Sequence, residues 1–138
     1  MINISKTARY GLQGLLYLTR HHEDGFVKIE EISKNENIPN NYLRKIFQQL
    51  IKNRVLESVV GPKGGVKLTP DSYEFSLARV IKIFEGEPVV DECTLFGTRG
   101  CRNLSVCPLQ VECHSYNRAM WDKLEKFKIK DFISPNKK

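Results

Sequence analysis

Cysteine is missing from residues 1–92 and 114–138 of this 138-residue chain. All four, Cys93, Cys101, Cys107 and Cys113, fall in one stretch. Thiols crowded that closely point to a site rather than to packing. Other absences bound the problem further. No apolar run approaches the roughly 20 residues that a membrane helix needs. Met1-Ile2-Asn3-Ile4-Ser5-Lys6 lacks the apolar stretch of a signal peptide. The expected compartment is a reducing cytoplasm, where clustered cysteines mean metal or redox chemistry more often than structural disulfides. No internal repeat stands out, and no serine or cysteine nucleophile has a base and orienter near it in sequence. An enzyme is not expected.

What is present is the composition of a folded chain, 41% hydrophobic and 28% charged. The length suits one domain, alone or with a dimerising arm. The net charge of +6 is unevenly placed. Residues 1–70 hold 11 Lys/Arg against 6 Asp/Glu, and residues 71–138 hold 11 against 10. A basic N-terminal half suggests a polyanion partner, nucleic acid being the commonest, although many basic surfaces are only solvated.

The apolar pattern predicts a first helix from about Ser5 to His22, with Ala8, Leu12, Leu15, Leu16 and Leu18 inward. His21 and His22 are expected to be solvated at its end. A short helix follows over Lys28 to about Asn35, with Ile29 and Ile32 inward. Ile38-Pro39-Asn40-Asn41 then leads into a helix, Asn being a good N-cap. From Asn41 to about Asn53, Leu43, Ile46, Phe47, Leu50 and Ile51 take one face. Arg44, Lys45, Gln48, Gln49 and Lys52 take the other, and no carboxylate joins them. Solvated helices usually mix both signs to gain i,i+4 pairs. Arg and Gln are also the side chains that match base edges bidentately.

Val55-Leu56-Glu57-Ser58-Val59-Val60 and Val66-Lys67-Leu68 read as strands around Gly61-Pro62-Lys63-Gly64-Gly65. This is a hairpin with a glycine-rich tip, and the plain reading of the tip is a tight turn. A P-loop is excluded, because no Gly-Lys-Ser/Thr occurs and a strand follows. Short helix, turn, amphipathic helix and hairpin make the order of a winged helix-turn-helix. There the second helix enters the major groove and the hairpin touches backbone or minor groove. Asn40, Asn41, Arg44, Lys45, Gln48, Gln49 and Lys63 are the candidate DNA contacts. Tyr42 either joins them or staples the helix to the core.

Ser76 is placed to cap a helix to about Glu85, with Leu77, Val80, Ile81 and Phe84 inward, stopped by Gly86 and Pro88. A long helix is expected from about Val106 to Lys128, with an apolar stripe of Leu109, Cys113, Tyr116, Met120, Leu124 and Phe127. Some 22 residues would span roughly 33 Å, longer than so small a domain needs, and the stripe would pack best against a second copy. Thiolates suit iron–sulfur clusters and zinc alike. The C-x7-C-x5-C spacing of Cys93, Cys101 and Cys107 matches neither close zinc pairs nor ferredoxin runs. Disulfides or metal-free thiol redox stand beside ligation.

In order and spacing, five pieces carry a resemblance: Arg9-Tyr10-Gly11-Leu12; Ile38-Pro39-Asn40-Asn41-Tyr42-Leu43; Ser58-Val59-Val60-Gly61-Pro62-Lys63-Gly64-Gly65; Val80-Ile81-Lys82-Ile83-Phe84-Glu85-Gly86; and Ile129-Lys130-Asp131-Phe132 beyond the cysteines. The chain resembles, over essentially its whole length, the Rrf-two family of small bacterial winged-helix regulators that includes IscR, NsrR, RirA and CymR. The resemblance implies a homodimer on palindromic operator DNA. It also implies an iron–sulfur cluster, 2Fe-2S or 4Fe-4S, on Cys93, Cys101 and Cys107, whose loss or reaction with nitric oxide or oxidants changes DNA affinity. Cys113 and His114 are possible fourth ligands, Cys113 also reading as a small hydrophobe in the stripe.

This chain departs from its relatives at four positions. Gln110 stands where IscR-like members place a histidine ligand, and Arg9 where NsrR-like members supply an aspartate. Val60 occupies a wing position that is usually arginine, and Arg44 replaces a frequent glutamate. The expected architecture is mainly α with a small β-wing. It comprises a winged helix-turn-helix domain (1–88), a cysteine-bearing sensor loop (89–105), a dimerisation helix and C-terminal segment (106–133), and a frayed tail (134–138). The expected function is a DNA-binding repressor whose cluster senses iron status, nitric oxide or redox. The alternatives are a cluster-free cysteine-redox or ligand sensor of the same fold and, more remotely, a thiol-redox enzyme or metal carrier.

Overall fold

The structure, a computed structural model, describes residues 4–86 and 107–133. Cys93, Cys101, Pro88, the sensor loop and the tail after residue 133 lie outside the described residues. Seven principal elements follow in the order α1 (Lys6–Arg20), α2 (Ile29–Glu36), α3 (Asn40–Lys52), β1 (Leu56–Val59), β2 (Gly65–Leu68), α4 (Leu77–Glu85) and α5 (Gln110–Lys126). Short 3-10 turns occupy His22–Asp24, Pro70–Glu74 and Ile129–Phe132. The fold is mostly helical with one two-stranded antiparallel sheet.

Helix α1 starts where the Ser5 side chain accepts the Ala8 N–H, satisfying one of the orphan donors of a first turn. Its buried face is not quite the expected one. Ala8, Leu15 and Leu18 are inward, but Leu12 and Leu16 are only half-buried, whereas Gly11, Gly14 and Tyr17 are buried. The glycines serve close helix packing. A Cβ on Gly14 would lie 2.6 Å from the Phe47 ring of α3, and one on Gly11 would lie 2.8 Å from the Phe84 ring of α4. Tyr17 donates its hydroxyl to Glu31 of α2 at 2.5 Å. Burial foremost, then that carboxylate, pushes its pKa up to about 12.

Helix α2 ends at Asn37, which takes the left-handed conformation at φ 56°, one that asparagine tolerates better than most residues. The Ser33 carbonyl accepts from Ile38 at 3.0 Å, and the Ser33 hydroxyl donates to the Ile38 carbonyl at 2.5 Å. This fixes the turn into α3. The expected asparagine cap is not formed there. Pro39 is the N-cap and makes no side-chain bond, while Asn40 is already the first helical residue. Proline at this boundary lacks the N–H that would be orphaned, which suits it to the place.

The main core gathers Leu15, Leu18, Ile32, Leu43, Ile46, Phe47, Leu50, Val55, Leu56, Val66, Leu68 and Val80 from α1 through α4. Ile129 joins it from the C-terminal turn. Helix α4 is capped as expected, Ser76 accepting from the Arg79 N–H and Gly86 ending it at φ +76°. Val80 and Ile81 are buried, and Leu77 and Phe84 are half-buried.

Helix α5 differs most from expectation. It starts at Gln110 rather than near Val106, and its 17 residues rise about 25 Å. Its inward residues are Asn117 and Trp121, with Leu124 half-buried. Trp121 packs on Ala78 and Ile81 of α4, beside Ile4, Leu12 and Leu124. Of the expected stripe, Leu109 is 43%, Tyr116 54%, Met120 43% and Phe127 51% exposed, whereas Cys113 and Leu124 are half-buried. The helix end is tied down firmly. Leu77 N donates to Phe127 O at 2.9 Å and Ile129 N to Phe75 O at 3.0 Å. Lys128 and Lys130 pair with Glu74 at 3.1 and 2.8 Å.

Candidate nucleic-acid interface

The second helix of the helix-turn-helix, α3, buries Leu43, Ile46, Phe47 and Leu50. That burial fixes its rotation about its axis. Asn41, Tyr42, Arg44, Lys45, Gln48, Gln49 and Lys52 are consequently exposed, and Asn40 is half-buried. The polar face read from the sequence is the outward face of the folded helix.

The wing is set against α2 and α3 by a feature the sequence reading missed. Val27, just before α2, pairs with Val66 of β2 as a third edge, its N–H bonding Val66 O at 2.9 Å and its carbonyl accepting from Val66 N at 2.8 Å. Gly65 makes this approach possible. A Cβ there would sit 2.2 Å from the Val27 carbonyl, and its φ of +152° suits glycine. At the tip, Gly64 N donates to Gly61 O at 3.0 Å, closing a turn that leaves Lys63 exposed. Val60, beside the tip, is 95% exposed and brings no charge.

A groove of about 590 Å³ runs between α2, α3 and the wing, lined by Lys28, Glu30, Arg44, Gln48, Val59 and Val60 among others. Arg44 and Gln48 therefore face the wing together. Lys45, Gln49 and Lys63 are exposed but do not line it. Arg44 donates through Nη2 to Glu30 of α2, a partner 14 residues away that helical periodicity does not reveal. Tyr42 hydrogen-bonds Thr7 of α1 at 3.2 Å and meets the Tyr10 ring edge-on at 5.5 Å. It thus staples α3 to α1 while remaining 38% exposed.

The cysteine site is partly in view. Cys107 lies immediately before α5, a free and half-buried thiol whose carbonyl accepts from Gln110 N at 3.5 Å. Cys113 is also free and half-buried, in the second turn. Next to it, His114 carries a buried Nε2 with no hydrogen-bond partner. Among the described residues no three His, Cys, Asp or Glu side chains converge on a metal position. Thiolate and imidazole are suitable iron ligands, and an orphaned buried ring nitrogen is unusual enough to require a cause. Cys107, Cys113 and His114 thus have the chemistry of cluster ligands, while Cys93 and Cys101 lie outside the described residues. His21 and His22, expected to be solvated, are half-buried instead. Their Nδ1 atoms bond the Tyr17 and Thr19 carbonyls at 2.8 Å each, and His21 stacks on Tyr17.

Comparison with known proteins gives this geometry its setting. The chain is 32% identical to the HTH-type transcriptional regulator IscR of Photorhabdus laumondii, over 77% of this chain and 63% of that protein. It thus spans less than two thirds of IscR's length. It is 29% identical to the HTH-type transcriptional regulator NsrR of Halalkalibacterium halodurans, over 91% of this chain and 86% of that one. The fold matches CymR, the global cysteine regulator of B. subtilis, with a TM-score of 0.77, 20% identity and 99% coverage of both chains. These relatives are transcriptional regulators and not enzymes. The sequence profile of Rrf2, iron-dependent transcriptional regulator, matches residues 4–135. With a winged helix-turn-helix, a wing braced on Val27 and an outward Arg/Lys/Gln face, the chain belongs to the Rrf2 family of DNA-binding transcriptional regulators.

Proposed function

We propose that the chain is a cytoplasmic, homodimeric repressor whose affinity for an operator is set by an iron–sulfur cluster on Cys93, Cys101 and Cys107. The observation that carries the reading is the outward face of α3, where Arg44, Lys45, Gln48 and Gln49 are exposed with no carboxylate among them. Asn40, Asn41 and Tyr42 open that helix, and Lys63 reaches from the wing toward phosphate. Phosphate contacts set register and base-edge contacts set preference.

The exposed stripe of α5 is the proposed dimer face, since Leu109, Tyr116, Met120 and Phe127 are exposed among the described residues and would gain burial against a second copy. Two recognition helices then have to meet half-sites about one DNA turn apart, roughly 34 Å. Cys107 stands at one end of α5, and the Phe75–Ile129 and Leu77–Phe127 bonds hold the other end to the DNA-binding domain. Ordering the chain at Cys107 biases the tilt of α5, and the Trp121 contact with α4 passes it on. When bound, the cluster supplies ligation sensitive to iron supply, nitric oxide and oxidants. Coupling requires that ligation favour one tilt over the other. Cys113 or His114 is placed to complete the ligand set.

A second reading, a cluster-free cysteine-redox or ligand-sensing regulator, is favoured by one observation. Cys107, Cys113 and His114 do not by themselves form a three-ligand group. Anaerobic purification separates the two. A brown protein with iron and sulfide in cluster ratio supports the cluster. A colourless protein without iron or sulfide, even after reconstitution, removes it.

A further inference from the structure

The groove between α2, α3 and the wing holds one carboxylate among its lining residues, that of Glu30. Its place has a local cause. Glu30 lies in the first turn of α2, which has no side-chain N-cap, so its charge faces the positive end of that helix. From there it crosses to α3 and accepts from Arg44 Nη2. The two side chains are 57% and 47% exposed, so DNA can reach both.

We propose that Glu30 is a positioning residue for operator reading: it holds the Arg44 guanidinium over the groove, so that the pair sets sequence preference. The inference rests on α3 being the DNA-reading helix. Guanidinium carries five N–H donors in a rigid fork. One Nη2 proton engaged by Glu30 leaves the rest for a guanine O6/N7 pair, at a fixed angle. A free arginine turns to whichever phosphate is nearest and so favours any sequence alike. Partly neutralised by Glu30, Arg44 gains less from a phosphate and keeps its advantage for a matching base edge. A merely structural ion pair this exposed contributes little to stability. Loss of Glu30 therefore leaves the fold intact, and specificity is the readout that separates the two roles.

The test uses the full chain and a duplex that the wild-type protein selects from a random pool, compared with a scrambled duplex over a salt series. Glu30→Ala and Glu30→Gln are expected to tighten binding to scrambled DNA and steepen its salt slope by about one. The selected-to-scrambled affinity ratio should fall about tenfold, on the scale of one lost bidentate contact. In an Arg44→Ala background, Glu30→Ala should leave the selected-to-scrambled ratio unchanged. An unchanged ratio in both Glu30 variants, with Arg44→Ala still weakening the selected duplex, overturns the role of Glu30 alone. Should Arg44→Ala also leave the selected duplex unaffected, the assignment of the α3 face falls, and the role of Glu30 with it.

Discussion

The two ends of this chain use apolar residues in opposite ways. Residues 4–86 turn them inward, so that Leu43, Phe47, Leu50, Val55 and Val80 are essentially inaccessible. Helix α5 buries Trp121 and Asn117 and turns Leu109, Val111, Tyr116 and Met120 outward. Apart from Ile129, the first region closes its apolar core among its own residues. In the second, the described residues leave an apolar face uncovered. In the function proposed above, the first region reads DNA and the second arranges two readers, and along the sequence the cysteines begin between the two.

The contrast can be broken hardest at the core. Phe47→Ala removes a fully buried ring packed on Gly14; it should cost about 3–5 kcal/mol, read as a lowered urea midpoint. Met120→Glu on α5 should leave that midpoint within about 0.5 kcal/mol when both proteins are compared at a dilution where they are monomeric. It should instead weaken self-association about 100-fold, as loss of a buried interface anchor does. Sedimentation that still gives the wild-type association would place the dimer face elsewhere.

Smaller effects sharpen the assignment within the DNA-reading region. Arg44→Ala or Gln48→Ala should relax base preference at a cost of about 1–3 kcal/mol. Lys63→Ala should lower the salt slope by about one without changing preference. Equal losses on every sequence in all three variants would show a face that only grips phosphate.

The smallest effect tests the clamp between the regions. Lys130, then Lys128, holds the Glu74 carboxyl below its ordinary 4.5, and Glu74 holds the Lys130 amine above its ordinary 10.5. A depressed carboxyl stabilises the fold above its unfolded value and loses that contribution as pH falls through the lower folded value. The raised amine contributes below 10.5 and loses its contribution as pH rises through the higher folded value. The protection factor of the Ile129 amide, its exchange rate corrected for the intrinsic pH dependence, should fall at both extremes, and Glu74→Gln should flatten the acid side.

Much of the DNA-reading region was legible, because its elements are governed by local rules. The α3 stripe, the Ser76 cap, the Gly86 stop and the glycine wing all follow from periodicity and backbone preference. What escaped depends on contacts between distant residues. Glu30 meets Arg44, Val27 braces the wing, and the expected alternative of a Tyr42 staple finds its partner in Thr7. None of these leaves a mark at helical spacing. Helix α5 misled for another reason. Its apolar stripe reads as a dimer seam, but the sequence does not reveal Trp121 as the anchor to α4, since periodicity ranks faces without saying which neighbour each one meets.

The central claim is that the cysteine site at the foot of α5 governs DNA affinity. The most direct measurement is operator affinity of one anaerobic preparation before and after its iron is removed, at one salt concentration. The account predicts a change of about tenfold or more, which is the scale of allosteric coupling, and its loss in Cys107→Ser. Equal affinities in a preparation shown to carry iron and sulfide would contradict it.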